Sequence, residues 1–268
     1  MPYIHEETVA GSTVIVRRYY SSRYHQSGRS KRANAEELSE AQALAKERHN
    51  ALEITILLNA NFDSSDYYIT LTYREGERPE TVKDAIKDRS NFISRLRGVY
   101  KKLGAPLKYI IVTEAGKRGA LHHHIVLNNA GLPLSLIEYI WNKGRINTKP
   151  LDPDGEYSKL AAYMLKYRKY WKMAGGTGRM WTHSRNLYRP PTKRKIVRAD
   201  RYYEKPREKK GYYVKGDSIE QGYTRFGWQY MRCIYVSLSP PKKHHIKMDE
   251  GYIQRVNEII DQMERRAP

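Results

Sequence analysis

The chain has 268 residues, of which 40% are hydrophobic, enough to bury a sizeable core. Its formal net charge is +20, from 49 Lys and Arg against 29 Asp and Glu, and a balance this basic points to a polyanionic partner. A single cysteine, Cys233, excludes an internal disulfide, and no apolar run approaches the ~18 residues of a membrane span. With no secretory signal pattern at the start, the expectation is a cytoplasmic protein with no membrane partner. Tyrosine is over-used, at 23 residues against 3 phenylalanines, which suits nucleic acid: rings stack on bases while cations meet phosphates.

In chain order, residues 1–32 read as a basic arm holding one possible strand at 13–20, with Arg17, Arg18, Arg23, Arg29, Lys31 and Arg32. Residues 34–58 recur at helical spacing through Leu38, Ala41, Leu44, Ala45, Leu52 and Ile56; Asn34 is placed to cap the helix, and Glu36 and Glu37 suit its dipole. Residues 66–73, DYYITLTY, alternate as a strand: Ile69, Leu71 and Tyr73 on one face, Tyr68, Thr70 and Thr72 on the other. A helix follows, with Thr81 as N-cap and Asp84 in its first turn. Ile86, Phe92, Ile93 and Leu96 form its buried stripe, and Arg89, Arg95 and Arg97 are expected in solvent.

Residues 108–128, KYIIVTEAGKRGALHHHIVLN, read as two strands joined by a glycine-containing turn. Strand alternation sends His122 and His124 to one face and His123, Ile125 and Leu127 to the core face. Glu114, ending the neighbouring strand, can join the histidine pair. Two imidazoles and a carboxylate make a metal site with open positions, suited to a divalent ion that also holds a substrate oxygen.

A short helix at 133–141 comes next, then a longer one at 155–171. On the longer helix Leu160, Ala161, Met164 and Trp171 face inward, while Tyr163, Lys166, Tyr167 and Tyr170 share a neighbouring face. Residues 179–187 read as a strand or ordered loop, and 192–215 are dense in Lys, Arg and Tyr. A strand at 229–237 places Cys233 in an apolar run, as a core thiol. After a basic cluster of Lys242, Lys243, His244 and His245 comes a helix at 249–266, with Ile253, Val256, Ile259, Ile260 and Met263 as its stripe.

These motifs, in this order, resemble the HUH-type rolling-circle replication initiators of phages and plasmids. NFDSSDYYITLTY at 61–73 looks like their first motif, ALHHHIVL at 120–127 their second, and YMLKY at 163–167 their tyrosine helix. The segment ending in SRNL at 184–187 is similar to the one following that helix. One departure stands out: where the family has a bulky hydrophobic residue between its histidines, this chain has His123. The resemblance implies an α+β fold, a central antiparallel sheet of ferredoxin/RRM-like type flanked by helices, over residues 33–191, with 192–268 an accessory region. It implies Mg²⁺ or Mn²⁺ on Glu114, His122 and His124, Tyr163 and Tyr167 as nucleophiles, and Lys166 easing phenolate formation. DNA contacts are expected from Tyr68, Thr70, Thr72, Arg118, Lys159 and Arg185. The implied activity is nicking and rejoining of single-stranded DNA at an origin hairpin through a 5′-phosphotyrosine. No Walker-type glycine loop is present, so a host helicase is implied. A transposase or relaxase using the same residues is the alternative enzyme, and a basic nucleic-acid-binding protein with structural zinc the non-enzymatic one.

Overall fold

A computed structural model describes residues 3–21, 40–177, 179–197, 205–223, 227–241, 246 and 248–265. The expected cap Asn34, its neighbours Glu36, Glu37 and Leu38, the arm residues Arg23, Arg29, Lys31 and Arg32, and the cluster Lys242, Lys243, His244 and His245 lie outside the described residues. In chain order the elements are β1 (Tyr3–Ala10), β2 (Thr13–Tyr20), α1 (Glu40–Asn61), β3 (Tyr67–Leu71), α2 (Val82–Leu103), β4 (Tyr109–Ala115), β5 (Leu121–Leu127) and α3 (Leu134–Trp141). There follow β6 (Ile146–Lys149), α4 (Ser158–Leu165), α5 (Arg168–Met173), β7 (Trp181–His183), β8 (Thr192–Val197), β9 (Tyr212–Val214), β10 (Glu220–Tyr223), β11 (Gln229–Ser237) and α6 (Glu250–Glu264). The fold is α+β with antiparallel sheet flanked by helices, as expected, and it holds two sheets.

The chain forms two units, each gathered from three stretches rather than from consecutive domains. One comprises Met1–Ala60, Pro153–Ala161 and Tyr188–Lys242; the other comprises Asn61–Asp152, Ala162–Leu187 and Lys243–Pro268. The first unit holds a sheet in the order β10-β11-β2-β1-β8, with β9 also on β11. Residues 3–20, expected as an arm with one strand, are thus two paired strands, and the region after 192 supplies four more. β1 and β2 turn through Gly11, whose φ of +57° favours glycine and whose Cβ would meet the Asn59 carbonyl oxygen at 2.0 Å. Val14, Val16, Met231, Cys233 and Tyr235 pack on one face. Ile15 and Ile234 meet Leu52 and Ile56 of α1 on the other. Cys233 is fully buried, as its apolar surroundings suggested, and burial pushes its thiol up to about 11.

The second unit holds the sheet β6-β3-β5-β4-β7. α2 starts as expected: Thr81 caps the Asp84 backbone N–H and the Asp84 carboxylate returns to the Thr81 N–H, a reciprocal pair that satisfies two orphan donors. Gly104, in the left-handed region, ends it. Phe92 and Leu96 of α2, Ile137 and Trp141 of α3, and Tyr252, Val256 and Ile259 of α6 build a core on one sheet face with Ile69, Leu71, Ile111, Ile125 and Leu127. The C-terminal helix therefore belongs to this core. Its buried residues include Tyr252, whereas Ile253, expected in the stripe, is half exposed. Arg89 is buried rather than solvated, one helical turn after Ala85 on the inward stripe.

The helix expected over 155–171 is broken. α4 ends at Leu165, Lys166 and Tyr167 form a turn, and α5 restarts at Arg168. No residue between Met164 and Trp171 is buried, so nothing in that stretch anchors a continuous helix. Tyr163 and Tyr167 consequently do not stand one turn apart on one helix face.

Candidate metal centre and neighbouring phenol

The site rises from the β4–β5 hairpin. Gly116 N–H bonds the Ala120 carbonyl at 2.9 Å, Gly119 N–H bonds the Gly116 carbonyl at 2.8 Å, and Gly119 takes a φ of +81° that closes the turn. That turn sets the register: Glu114 lies opposite His122, Thr113 opposite His123, and Val112 opposite His124. Alternation then puts Glu114, His122 and His124 on one face and Thr113 with His123 on the other.

The three donors converge. His122 Nε2 and His124 Nε2 both donate to Glu114 Oε1, at 2.7 and 2.8 Å, and ligand atoms from all three lie within 4.8 Å of one another. Glu114 and His124 are buried; His122 is partly open to solvent. Burial alone would push the Glu114 carboxyl up, but the hydrogen bonds and charge of the two imidazoles outweigh it and hold the group below the ordinary carboxylate range. Burial acts downward on His122, and the hydrogen bond and charge of Glu114 reverse it, leaving that imidazole raised. Glu114 Oε2 is buried with no hydrogen-bond partner among the described residues, an uncommon state for a charged oxygen. An orphaned carboxylate oxygen beside two imidazole nitrogens is a donor set that fits a divalent cation.

Tyr68 Oη and Thr70 Oγ1 reach His124 Nδ1 at 3.0 and 3.1 Å. Each hydroxyl can donate or accept, so they serve His124 whichever ring nitrogen carries the proton, and they keep Nε2 facing Glu114. Tyr68, expected to contact DNA, is buried beneath the site rather than lying on its surface.

Tyr163 stands over the same face. Its ring meets His124 edge-on, with centroids 5.5 Å apart, and it is 41% exposed. Burial raises its phenol, and the Glu114 carboxylate and Tyr167 add to that. Lys166 does not counter the rise: its Nζ lies over the Tyr167 ring, 5.5 Å from the centroid. Tyr167 in turn packs on Tyr170. Tyr163, His122 and His124 line a cavity of about 660 Å³ together with Thr70, Thr72 and Arg118, three of the residues named above for DNA contact, and with Arg78, Asn147 and Lys149, which sequence reading passed over. Asn147 and Lys149 belong to β6, an exposed edge strand with no apolar alternation to betray it. None of Arg78, Arg118 and Lys149 makes an ion pair among the described residues, so the cavity presents uncompensated positive charge. Two expected DNA contacts lie elsewhere. Arg185 joins Arg97, Tyr109 and His183 in another cavity of about 750 Å³. Lys159 pairs with Asp217 within the first unit.

Residues 66–169 match the family model described as Replication-associated protein ORF2/G2P. The matched span runs from the start of β3 into α5 and contains Glu114, His122, His124 and Tyr163. No curated protein and no solved structure matches the chain. Among the described residues, no helix is long and apolar enough to cross a membrane.

Proposed function

We propose that this protein initiates rolling-circle replication by nicking and rejoining single-stranded DNA at an origin hairpin, with Tyr163 as nucleophile. The observation that carries the reading is the contact of a half-exposed phenol with His124, above a three-donor cluster, in a cavity lined by cations that make no ion pair among the described residues. Glu114, His122 and His124 would hold Mg²⁺ or Mn²⁺, which when bound supplies Lewis acidity to the scissile phosphate. Arg78, Arg118 and Lys149 hold flanking phosphates and neutralise charge that builds on the transferred one. Tyr163 Oη forms the bond to phosphorus as the bond to the sugar 3′ oxygen breaks. The phenol gives up one proton and the departing oxygen takes one, leaving a 5′-phosphotyrosine and a 3′-hydroxyl. The covalent link conserves the phosphodiester energy, so the 3′-hydroxyl can later reverse the step and reseal the strand. Tyr163 is favoured over Tyr167 because Tyr163 lines the cavity and touches His124, while Tyr167 packs on Tyr170. A host helicase then opens the duplex, and the replication-associated match favours an origin over a transposon end.

The test is a pool of hairpin oligonucleotides with randomised single-stranded loops, incubated with the full chain and Mn²⁺ and resolved on denaturing gels. Wild type and Tyr167→Phe are expected to give a covalent adduct, and Tyr163→Phe none. An adduct that survives in Tyr163→Phe removes the nucleophile assignment. No adduct from the wild type with either Mn²⁺ or Mg²⁺ removes the reading altogether.

A further inference from the structure

On the side of the sheet away from the donors, the same strands carry a buried polar relay that the proposed chemistry does not use. His123 is fully buried, edge-on to Trp141 at 5.4 Å between ring centroids. An apolar side chain would fill that place at lower cost, since a buried imidazole must have both nitrogens satisfied. Both are: Tyr73 Oη is 2.9 Å from His123 Nε2, and Thr113 Oγ1 is 2.9 Å from His123 Nδ1. Arg89 Nη1 donates to Thr113 Oγ1 at 2.9 Å.

The relay runs from Arg89 through Thr113 and His123 to Tyr73. Its members adjoin the metal donors in sequence. Thr113 precedes Glu114, His123 sits between His122 and His124, and Tyr73 follows the strand whose Tyr68 and Thr70 hold His124. Arg89 belongs to α2, so that helix joins the relay through Thr113 of β4.

We infer that His123 is a positioning residue for the metal centre, acting with Thr113, Arg89 and Tyr73 to hold the Glu114, His122 and His124 backbone in ligating register. The inference rests on the reading that those three residues bind a divalent cation. Metal sites demand placement within about 0.5 Å, and outer partners of this kind typically change affinity by about 10–100-fold. Filling the core would be served as well by a leucine; holding the relay would not, because leucine leaves the Thr113 and Tyr73 hydroxyls without their His123 partner.

The experiment measures Mn²⁺ binding to the full chain by the electron paramagnetic resonance of free Mn²⁺, alongside melting in chelator. Thr113→Val, nearly the same shape, cuts the relay while keeping the packing; His123→Leu replaces its centre. Expected is a Kd for Mn²⁺ raised about 10-fold in Thr113→Val and up to about 100-fold in His123→Leu, with the Thr113→Val melting temperature near that of wild type. If His123→Leu does not fold, Thr113→Val decides alone. Wild-type Mn²⁺ affinity in a folded variant, whatever its melting temperature, makes His123 a core filler and overturns the inference. A wild-type chain that binds no Mn²⁺ overturns the metal reading itself, and this inference with it.

Discussion

Glu114→Gln separates what the carboxylate does for the fold from what it does for the site. In the metal-free protein the Glu114 carboxylate takes two imidazole hydrogen bonds, and bonds to charged groups are worth about 1.5–3 kcal/mol each. Against this stands the desolvation of a fully buried carboxylate, several kcal/mol, with one oxygen unpartnered. The two terms are of the same size, so the glutamine variant should melt within about 1 kcal/mol of wild type in chelator. The cation acts differently. At a free Mn²⁺ concentration about 100 times its Kd, a site present only in the folded state contributes about 2.7 kcal/mol. For a chain of this size that is a rise of roughly 5–11 °C in Tm. The glutamine amide oxygen is a weaker, uncharged donor, so the variant should lose most of this rise. Circular dichroism melts of both proteins in chelator and in MnCl₂ give all four numbers. A variant that keeps the full Mn²⁺-induced rise would show that Glu114 is no ligand. A variant several kcal/mol less stable in chelator would show that the cluster is a structural network.

Replacing Arg78 and Lys149 together by alanine should flatten the salt dependence of single-stranded DNA binding, since each lost phosphate contact lowers the slope of log K against log salt by about 0.7. Fluorescence anisotropy across a salt series should therefore show a slope smaller by about 1.4 with unchanged melting, and an unchanged slope would clear both residues of phosphate contact. In the first unit, Glu6→Gln should cost about 2 kcal/mol in urea at pH 7, a figure discounted because Arg17 and Arg194 are a third or more exposed. Burial pushes the Glu6 carboxyl up, but bonds from Tyr19 and Arg194 and the charge of Arg17 bring it below its ordinary 4.5; its stabilisation is complete above that value and drains away as pH falls through the lowered pKa, so the variant's deficit should shrink progressively on acidification below 4.5.

What the sequence revealed, and what it hid, follows from how each segment keeps its polar groups. The β4–β5 hairpin was legible because imidazoles alternate with Ile125 and Leu127 at period two, so face and function separate cleanly. α2 was legible through its Thr81 and Asp84 cap. β1 and β8 were not, because their interior is made of charge rather than apolar alternation: Glu6 is buried by pairing with Arg17 on β2 and Arg194 on β8. Such pairing depends on a strand from the far end of the chain, which no local window contains. Arg89 was misread for a related reason. It falls on the same helical stripe as Ala85, Phe92 and Leu96, and only its charge pointed to solvent. The Thr113 hydroxyl that receives it lies on another element. The break between Tyr163 and Tyr167 had no local breaker residue; it depends on where the next buried anchor, Trp171, falls.

On the proposed reading, the cavity's chemistry also limits what it can recognise. Arg78, Arg118 and Lys149, without an ion-pair partner among the described residues, surround a three-donor cluster and a phenol, and phosphates look alike whatever base they carry. These residues can seat a single strand and set its polarity against Tyr163, but they cannot distinguish one origin from another. Choice of sequence requires groups that reach base edges or stack on exposed bases, and the cavity lining offers few beyond Asn147 and Thr72. The same +20 charge that draws the chain to any nucleic acid therefore makes nicking at the wrong place the default hazard. A phenol kept protonated by burial and by Glu114 works against it, because in that state it attacks poorly until a phosphate and a cation are seated together.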